Sequence, residues 1–288
     1  SGDDLYVCYY SGSYSLRLAT SVDGGDIWTI ETAVSGNIGM DNSIAVSGND
    51  IYISSYDWIS DNLNFVKYDG TGESWSTQVV DSSGNVGEYT SIAVSGSYVY
   101  ISYLDQSNGY LKLATSDDGG DTWATQNVAT PVAFEDTSIA VVNTDNIYIS
   151  YSDFSGVLGT HKIKCAISTD GGSAWSIKTA IEGSYPGHSS IGIDGNNIYI
   201  SYESGSVFCV KSEDGGTSWI SNYVMNDGDE GTALVVSGDY IFIGSGSTMA
   251  DEHRFIPADQ PEANFEIIHP RTRGLEYGLS HFGDHFYI

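Results

Sequence analysis

Apolar and polar residues alternate in short runs along almost the whole chain. Ile51-Tyr52-Ile53-Ser54, Val99-Tyr100-Ile101-Ser102 and Ile147-Tyr148-Ile149-Ser150 are the clearest of these runs. Each follows a smaller apolar stretch: Ser43-Ile44-Ala45-Val46, Ser91–Gly96 or Ser138–Val141, with weaker versions at Ser190–Ile193 and Ala233–Gly238. A period of two, rich in β-branched and aromatic residues and bounded by Gly, Asn, Asp and Ser, predicts half-buried β-strands. No helical period competes, so an all-β chain with almost no helix is expected.

A second pattern runs in phase with the first. Ser-x-Asp-Gly-Gly-x-x-Trp occurs at Ser21–Trp28, Ser116–Trp123, Ser168–Trp175 and Ser212–Trp219, and a copy with one extra residue runs from Tyr68 to Trp75. The tryptophans stand 47, 48, 52 and 44 residues apart. A repeat of this length, holding four short strands, predicts a β-propeller. The Ser-Ile-Ala-Val run is the first strand of each repeat and Ile-Tyr-Ile-Ser the second. Stretches such as Leu111-Lys112-Leu113 form the third, and the chain after the Trp forms the fourth. Six four-stranded blades in one domain over 1–288 are expected, with the N- and C-terminal strands sharing a blade; seven blades is the alternative.

The Asp-Gly-Gly turns have a physical logic. The aspartates (Asp23, Asp69, Asp118, Asp170, Asp214) can accept hydrogen bonds from amides of their own turn, and the glycines supply left-handed conformations. The tryptophans (Trp28, Trp75, Trp123, Trp175, Trp219) can fold back over the turn. These turns resemble the Asp box of the bacterial neuraminidase repeat family, over residues 1–246. That resemblance implies a propeller but leaves activity open, because sialidases, other glycosidases, sortilin-type receptors and non-catalytic surface propellers all carry the motif. A calcium ion in the Asp-Asp-Gly-Gly-Asp turn is an alternative to a purely structural role.

After about Gly246 the composition shifts. Residues 247–288 contain Arg254, Arg271 and Arg273 of the four arginines, and no Asp turn. Phe265–Tyr277, with Gly283–Ile288, resembles a propeller segment of the oligopeptidase B branch of prolyl oligopeptidases. In that family the segment precedes a hydrolase domain that nothing here matches, and no Gly-x-Ser-x-Gly elbow is present. Peptidase activity is therefore not expected. Tyr277–Phe282 reads as a first strand that completes the opening blade and closes the ring. The junction suggests a recombined or engineered chimera.

Composition narrows the partners. Lys+Arg 10 against Asp+Glu 38 gives a net charge of −28. With so few cations, neither nucleic acid nor an anionic membrane surface is an expected partner. The acidity suits a secreted or cell-surface protein, and a start at Ser1 without Met reads as a trimmed chain. Cys8, Cys165 and Cys209 form no CxxC pair, and the repeat puts Cys165 and Cys209 at buried leucine positions. Neither a disulfide framework nor a metal site is signalled.

Acids recur on one side of the repeat. Asp41, Glu88, Asp136, His188 and Glu230 lie before or at the first strand, and Asp57, Asp105, Asp153 and Glu203 follow the second. Tyr9, Tyr56, Tyr89, Tyr103, Tyr151 and Tyr202 stand near them as aromatic support. Because the acids repeat blade by blade, they read as a shared surface feature, and a monomeric, non-catalytic recognition or scaffold module is expected. Its ligand would be a carbohydrate or a cationic group, without a cofactor. Sialidases hold their substrate with three arginines, whereas residues 1–246 contain only Arg17. The alternatives are a glycoside hydrolase of sialidase-like fold, using two of the acids, or a chimeric propeller without a ligand.

Overall fold

The computed structural model describes residues 4–11, 14–130, 136–154, 161–183, 185–226, 231–237 and 240–245, and the backbone of four later strands. The chain groups into two compact units, one mainly Ser1–Val132 and the other mainly Ala133–His281.

In the first unit, β1 (Leu5–Ser11), β2 (Ser15–Ser21) and β3 (Thr29–Ser35) form a three-stranded antiparallel sheet. Two four-stranded meanders follow. One is β4 (Ile38–Ser47), β5 (Asp50–Asp57), β6 (Asn62–Asp69) and β7 (Ser74–Asp81). The other is β8 (Val86–Ser95), β9 (Tyr98–Asp105), β10 (Tyr110–Ser116) and β11 (Ala124–Ala129).

The second unit repeats the plan three times. Its first sheet is β12 (Thr137–Val141), β13 (Ile147–Asp153), β14 (His161–Ser168) and β15 (Ser176–Gly183). Its second is β16 (Gly187–Asp194), β17 (Asn197–Glu203), β18 (Ser206–Ser212) and β19 (Ile220–Asn226). The third is β20 (Thr232–Ser237), β21 (Tyr240–Ser245), β22 (Glu252–Pro257) and β23 (Glu266–Ile268), so the tail supplies two of its strands. Among the described residues, β24 (Ser280–Phe282) pairs with β25 (His285–Tyr287). Phe282–Tyr287 groups with the first unit, whose opening sheet has three strands, while residues 277–279 of the expected closing strand lie outside the described residues.

Burial explains why the second strands read as they do. β9 and β17 are buried along nearly their whole length; on β17, Ile198 and Ile200 pack against one neighbouring sheet and Tyr199 against the other. In the first unit, Tyr52, Leu63 and Phe65 of one sheet pack on Val86, Ile92, Ile101 and Tyr103 of the next. In the second, Ile163, Cys165 and Ile167 pack on Ile191, Ile198, Ile200 and Tyr202. At roughly 25 cal/mol per Å² of apolar surface, this face-to-face burial is the main force holding sheet to sheet.

Polar stitches join the first strands. The Ser43 hydroxyl accepts the Ile92 N–H at 3.2 Å, Ser138 accepts Ile191 at 3.2 Å, and Ser190 accepts Leu234 at 3.0 Å. A serine recurs in Ser-Ile-Ala-Val because it satisfies an amide of the next sheet.

The Asp turns are self-contained. Ser21 accepts the Gly25 N–H and donates to Asp23, whose carboxylate accepts the Ile27 N–H; the Trp28 indole then bonds the Gly25 carbonyl at 2.9 Å. The turns at Ser116 and Ser212 repeat the set, including the indole bond. At Ser168 the serine and aspartate bonds recur, but the Trp175 indole N–H has no partner. Gly119 and Gly120 have φ of 73° and 96°, and a Cβ on Gly120 would run into the Phe65 ring. In the longer copy, Asp69 accepts from Thr71 and Gly72, and the Trp75 indole is unpartnered.

Candidate active site

Four second strands, β5, β9, β13 and β17, end in an acid, and the structure gives each acid a different environment. Asp57 caps its own turn, accepting from Ile59 and Ser60 at 3.0 and 3.3 Å. Asp105 is buried, accepts the backbone and side chain of Asn108, and lies 3.9 Å from the Lys112 ammonium. Asp153 is buried in an ion pair with Lys164. Glu203 is buried and accepts the Gly231 N–H at 2.9 Å and the Ser245 hydroxyl at 3.3 Å.

The cations explain the difference. Lys112 faces Tyr103 across β9 and β10, and Lys164 faces Tyr151 across β13 and β14. The corresponding partner of Tyr202 is Phe208. Phe208 therefore stands where the sheets of Asp105 and Asp153 have a lysine.

The first strands carry the other half of the site. β4, β8 and β16 each break register near their start, which re-aims the side chains there. Asp41, Tyr89 and His188 occupy matching positions with φ of 46°, 52° and 49°. Asp41 is exposed and accepts the Tyr89 N–H at 3.2 Å. Glu88 accepts from the Gln106 and Asn85 side chains at 2.6 and 3.4 Å. His188 is exposed, and its carbonyl accepts the Thr232 hydroxyl at 2.9 Å. Glu230 lies outside the described residues.

Asp136, just ahead of β12, is the distinct carboxyl. It accepts the Ser189 N–H from the neighbouring sheet. Loss of hydration raises its pKa to about 6; the Ser189 amide, the His188 ring and the Ser189 hydroxyl pull it down, and the Glu203 carboxylate pushes it further up. Asp136, His188 and Glu203 thus form one electrostatic group within the second unit. Chemically, the group offers a carboxyl whose pKa is raised beside a second carboxyl that accepts hydrogen bonds from Gly231 and Ser245.

In the first unit the carboxylates serve structure. Asp81, at the end of β7, accepts the Tyr103 hydroxyl at 2.7 Å and the Lys112 ammonium at 2.5 Å. Burial acts to raise its pKa, but Lys112, Tyr103 and Ser83 outweigh that and hold it below the ordinary value. Sequence reasoning did not single out Asp81, Lys112, Lys164 or Ser189. The available signal was a lysine at the same place in two third strands, Leu111-Lys112-Leu113 and Ile163-Lys164-Cys165.

Four of the tyrosines expected to support a ligand do not reach it: Tyr56, Tyr103, Tyr151 and Tyr202 are buried between sheets. Cys165 and Cys209 are buried, and burial pushes the Cys209 thiol up to about 12, so it stays protonated and unreactive. Among the described residues, no three His, Cys, Asp or Glu side chains gather as metal ligands would. Nor does any helix there have the length and apolarity to cross a membrane.

No protein-family model matches the sequence, and no curated protein matches it either. Solved structures do. An α-L-arabinofuranosidase from Fusarium graminearum, in complex with an iminosugar inhibitor, superimposes with a TM-score of 0.64 at 13% identity, over 97% of this chain and 89% of that one. An α-L-arabinanase from Penicillium chrysogenum, complexed with arabinobiose, gives 0.63 at 13% identity over 83% of each chain. A Hadza microbial sialidase gives 0.59 at 12% identity, over 88% of this chain and 66% of that one. The chain is a β-propeller. Its similarity to these three carbohydrate-cleaving enzymes overturns the expectation of a non-catalytic recognition or scaffold module. The blade-by-blade recurrence of the acids misled that expectation, because equal spacing in sequence concealed unequal partners in space.

Proposed function

We propose that the chain is a glycoside hydrolase whose general acid is Asp136 and whose ionised partner is Glu203. The observation that carries this reading is Asp136, whose pKa is raised and which forms one electrostatic group with the Ser189 amide and the His188 and Glu203 side chains. Paired carboxyls driven to opposite protonation states are what glycosidic cleavage needs. Asp136 gives its proton to the glycosidic oxygen as the bond to the anomeric carbon breaks. Glu203 meets the positive charge developing at that carbon, either bonding to it or taking a proton from the attacking water. Anomer-resolved NMR of the product separates those two courses.

The test is hydrolysis of arabinan and of neutral aryl glycosides by the wild type, Asp136→Asn and Glu203→Gln. Each substitution should lower kcat by roughly 10²–10⁴-fold with the fold intact by circular dichroism. Unchanged turnover in Asp136→Asn would remove this assignment. An aryl glycoside with a good leaving group should partly rescue Asp136→Asn, because its departure needs no proton.

The Asp-box resemblance of residues 1–246 supports the same reading, and with the acidic composition it suits an enzyme working outside the cell as a monomer. We retain six blades as the count. The oligopeptidase-like tail is read as a recombined segment, which sequencing of the source gene tests.

A further inference from the structure

We propose that Tyr185, backed by His161 and Phe154, is an aromatic shelf that binds a neutral sugar ring next to Asp136 and Glu203. The proposal rests on the glycosidase reading for its substrate class, while the shelf itself stands on geometry.

Tyr185 is 69% exposed, whereas the tyrosines at the ends of the second strands of this unit, Tyr151 and Tyr202, are buried. Its ring is held in place. The His161 ring meets it edge-on, with centroids 4.5 Å apart at 69°, and Phe154 lies 4.3 Å from His161 at 50°. The backbone is held as well. Tyr185 has φ of 59° directly before the buried Pro186, a conformation that a non-glycine residue ahead of proline resists. Strain of this kind persists only where the surroundings over-determine it. An apolar ring fixed in water at such cost is preorganised for a flat, apolar face.

Position supplies the second argument. Tyr185 lies in the link from β15 to β16, three residues before His188, and Phe154 directly follows Asp153 at the end of β13. The shelf therefore flanks the Asp136–His188–Glu203 group inside the same unit. Charge chooses among sugars. The neighbouring carboxyls are Asp136, Asp153 and Glu203, and the Lys164 ammonium is already committed to Asp153. An anionic sugar would meet net repulsion, while the C–H face of a neutral ring stacks on tyrosine and its hydroxyls donate to carboxylates.

The test uses the full chain carrying Asp136→Asn, so that the probes survive, and measures calorimetric binding of arabinotriose and maltotriose, with 3′-sialyllactose as the anionic comparator. Adding Tyr185→Ala should weaken binding of the preferred neutral trisaccharide by about tenfold, and Tyr185→Phe should keep it within about twofold. Tyr240→Ala, at the exposed start of β21, should leave binding unchanged. Equal binding by Tyr185→Ala, preference for 3′-sialyllactose, or no binding of any probe would overturn the shelf. Binding that depends on Tyr185 in a protein whose wild type hydrolyses nothing would keep the shelf and remove the hydrolase.

Discussion

The Asp81–Lys112–Asp105 cluster of the first unit and the Asp136–His188–Glu203 group of the second start from one repeat and end in opposite chemistry. In the first, a buried lysine lies between two carboxylates and a tyrosine hydroxyl adds a donor, so the pKa of Asp81 is held down. In the second, the position opposite Tyr202 holds Phe208, stacked on it at 5.4 Å, and loss of hydration raises the pKa of the Asp136 carboxyl. Cations neutralise the buried acids of the first cluster, whereas desolvation dominates at Asp136. The comparison teaches that acid spacing along a repeat says little until each acid's donors are known.

The largest effect expected from breaking this contrast comes from Lys112→Ala. The substitution leaves Asp81 and Asp105 buried without their cation, and removing one partner of a buried pair costs about 3–5 kcal/mol. In the wild type, Asp81 has a lowered pKa, so its contribution is present above the unfolded-state value near 4 and fades as the pH falls below it. The variant reverses that dependence: it should be least stable at neutral pH and recover part of the loss near pH 5, where a buried carboxyl can take up a proton. Urea unfolding at pH 5 and 7.5 measures both. A uniform loss at the two pH values would mean that Lys112 acts through packing alone.

Much of this molecule was legible in the sequence because its physics is local. The Asp turns close within eight residues, and the period-two runs declare their strands, so fold class and sheet order follow from pattern. Asp136, His188 and Glu203 stood among nine recurring candidates, but their grouping did not show. Asp136 and Ser189 are 53 residues apart, and Phe208 in place of lysine looks like ordinary core alternation. The tyrosines failed for a related reason. Tyr103 and Tyr151 are buried, so position near an acid gives no access to solvent.

A middle-sized effect tests Asp136 from the stability side. A carboxyl whose pKa rises on folding binds its proton more tightly in the folded state. Its stabilisation is therefore full below about pH 4 and is lost as the pH climbs to about 6. Asp136→Asn should remove that slope and stabilise the protein at pH 7 by roughly 1–3 kcal/mol. Glu203→Gln should move the slope to lower pH, since one source of the upward push is gone. Melting curves between pH 4 and 8 decide the matter. A variant no more stable than wild type at pH 7 would show that the Asp136 environment carries no stored cost.

The smallest effect separates electrostatics from the scaffold that holds the site. Ser190 stitches β16 to β20 through the Leu234 amide, and β16 also carries His188 and Ser189, the neighbours of Asp136. Ser190→Ala deletes one hydrogen bond and should cost about 1 kcal/mol, lowering Tm by roughly 2–4 °C. The repeat already holds Ala233 at the matching position of β20, so the missing hydroxyl is compatible with the strand. Because the stitch carries no charge, the loss should be the same at pH 5 and 7.5, unlike that of Lys112→Ala. If Ser190→Ala changes the pH slope assigned to Asp136, the stitch positions the Ser189 amide, and the contrast between the two clusters depends on backbone placement as well as on lysine.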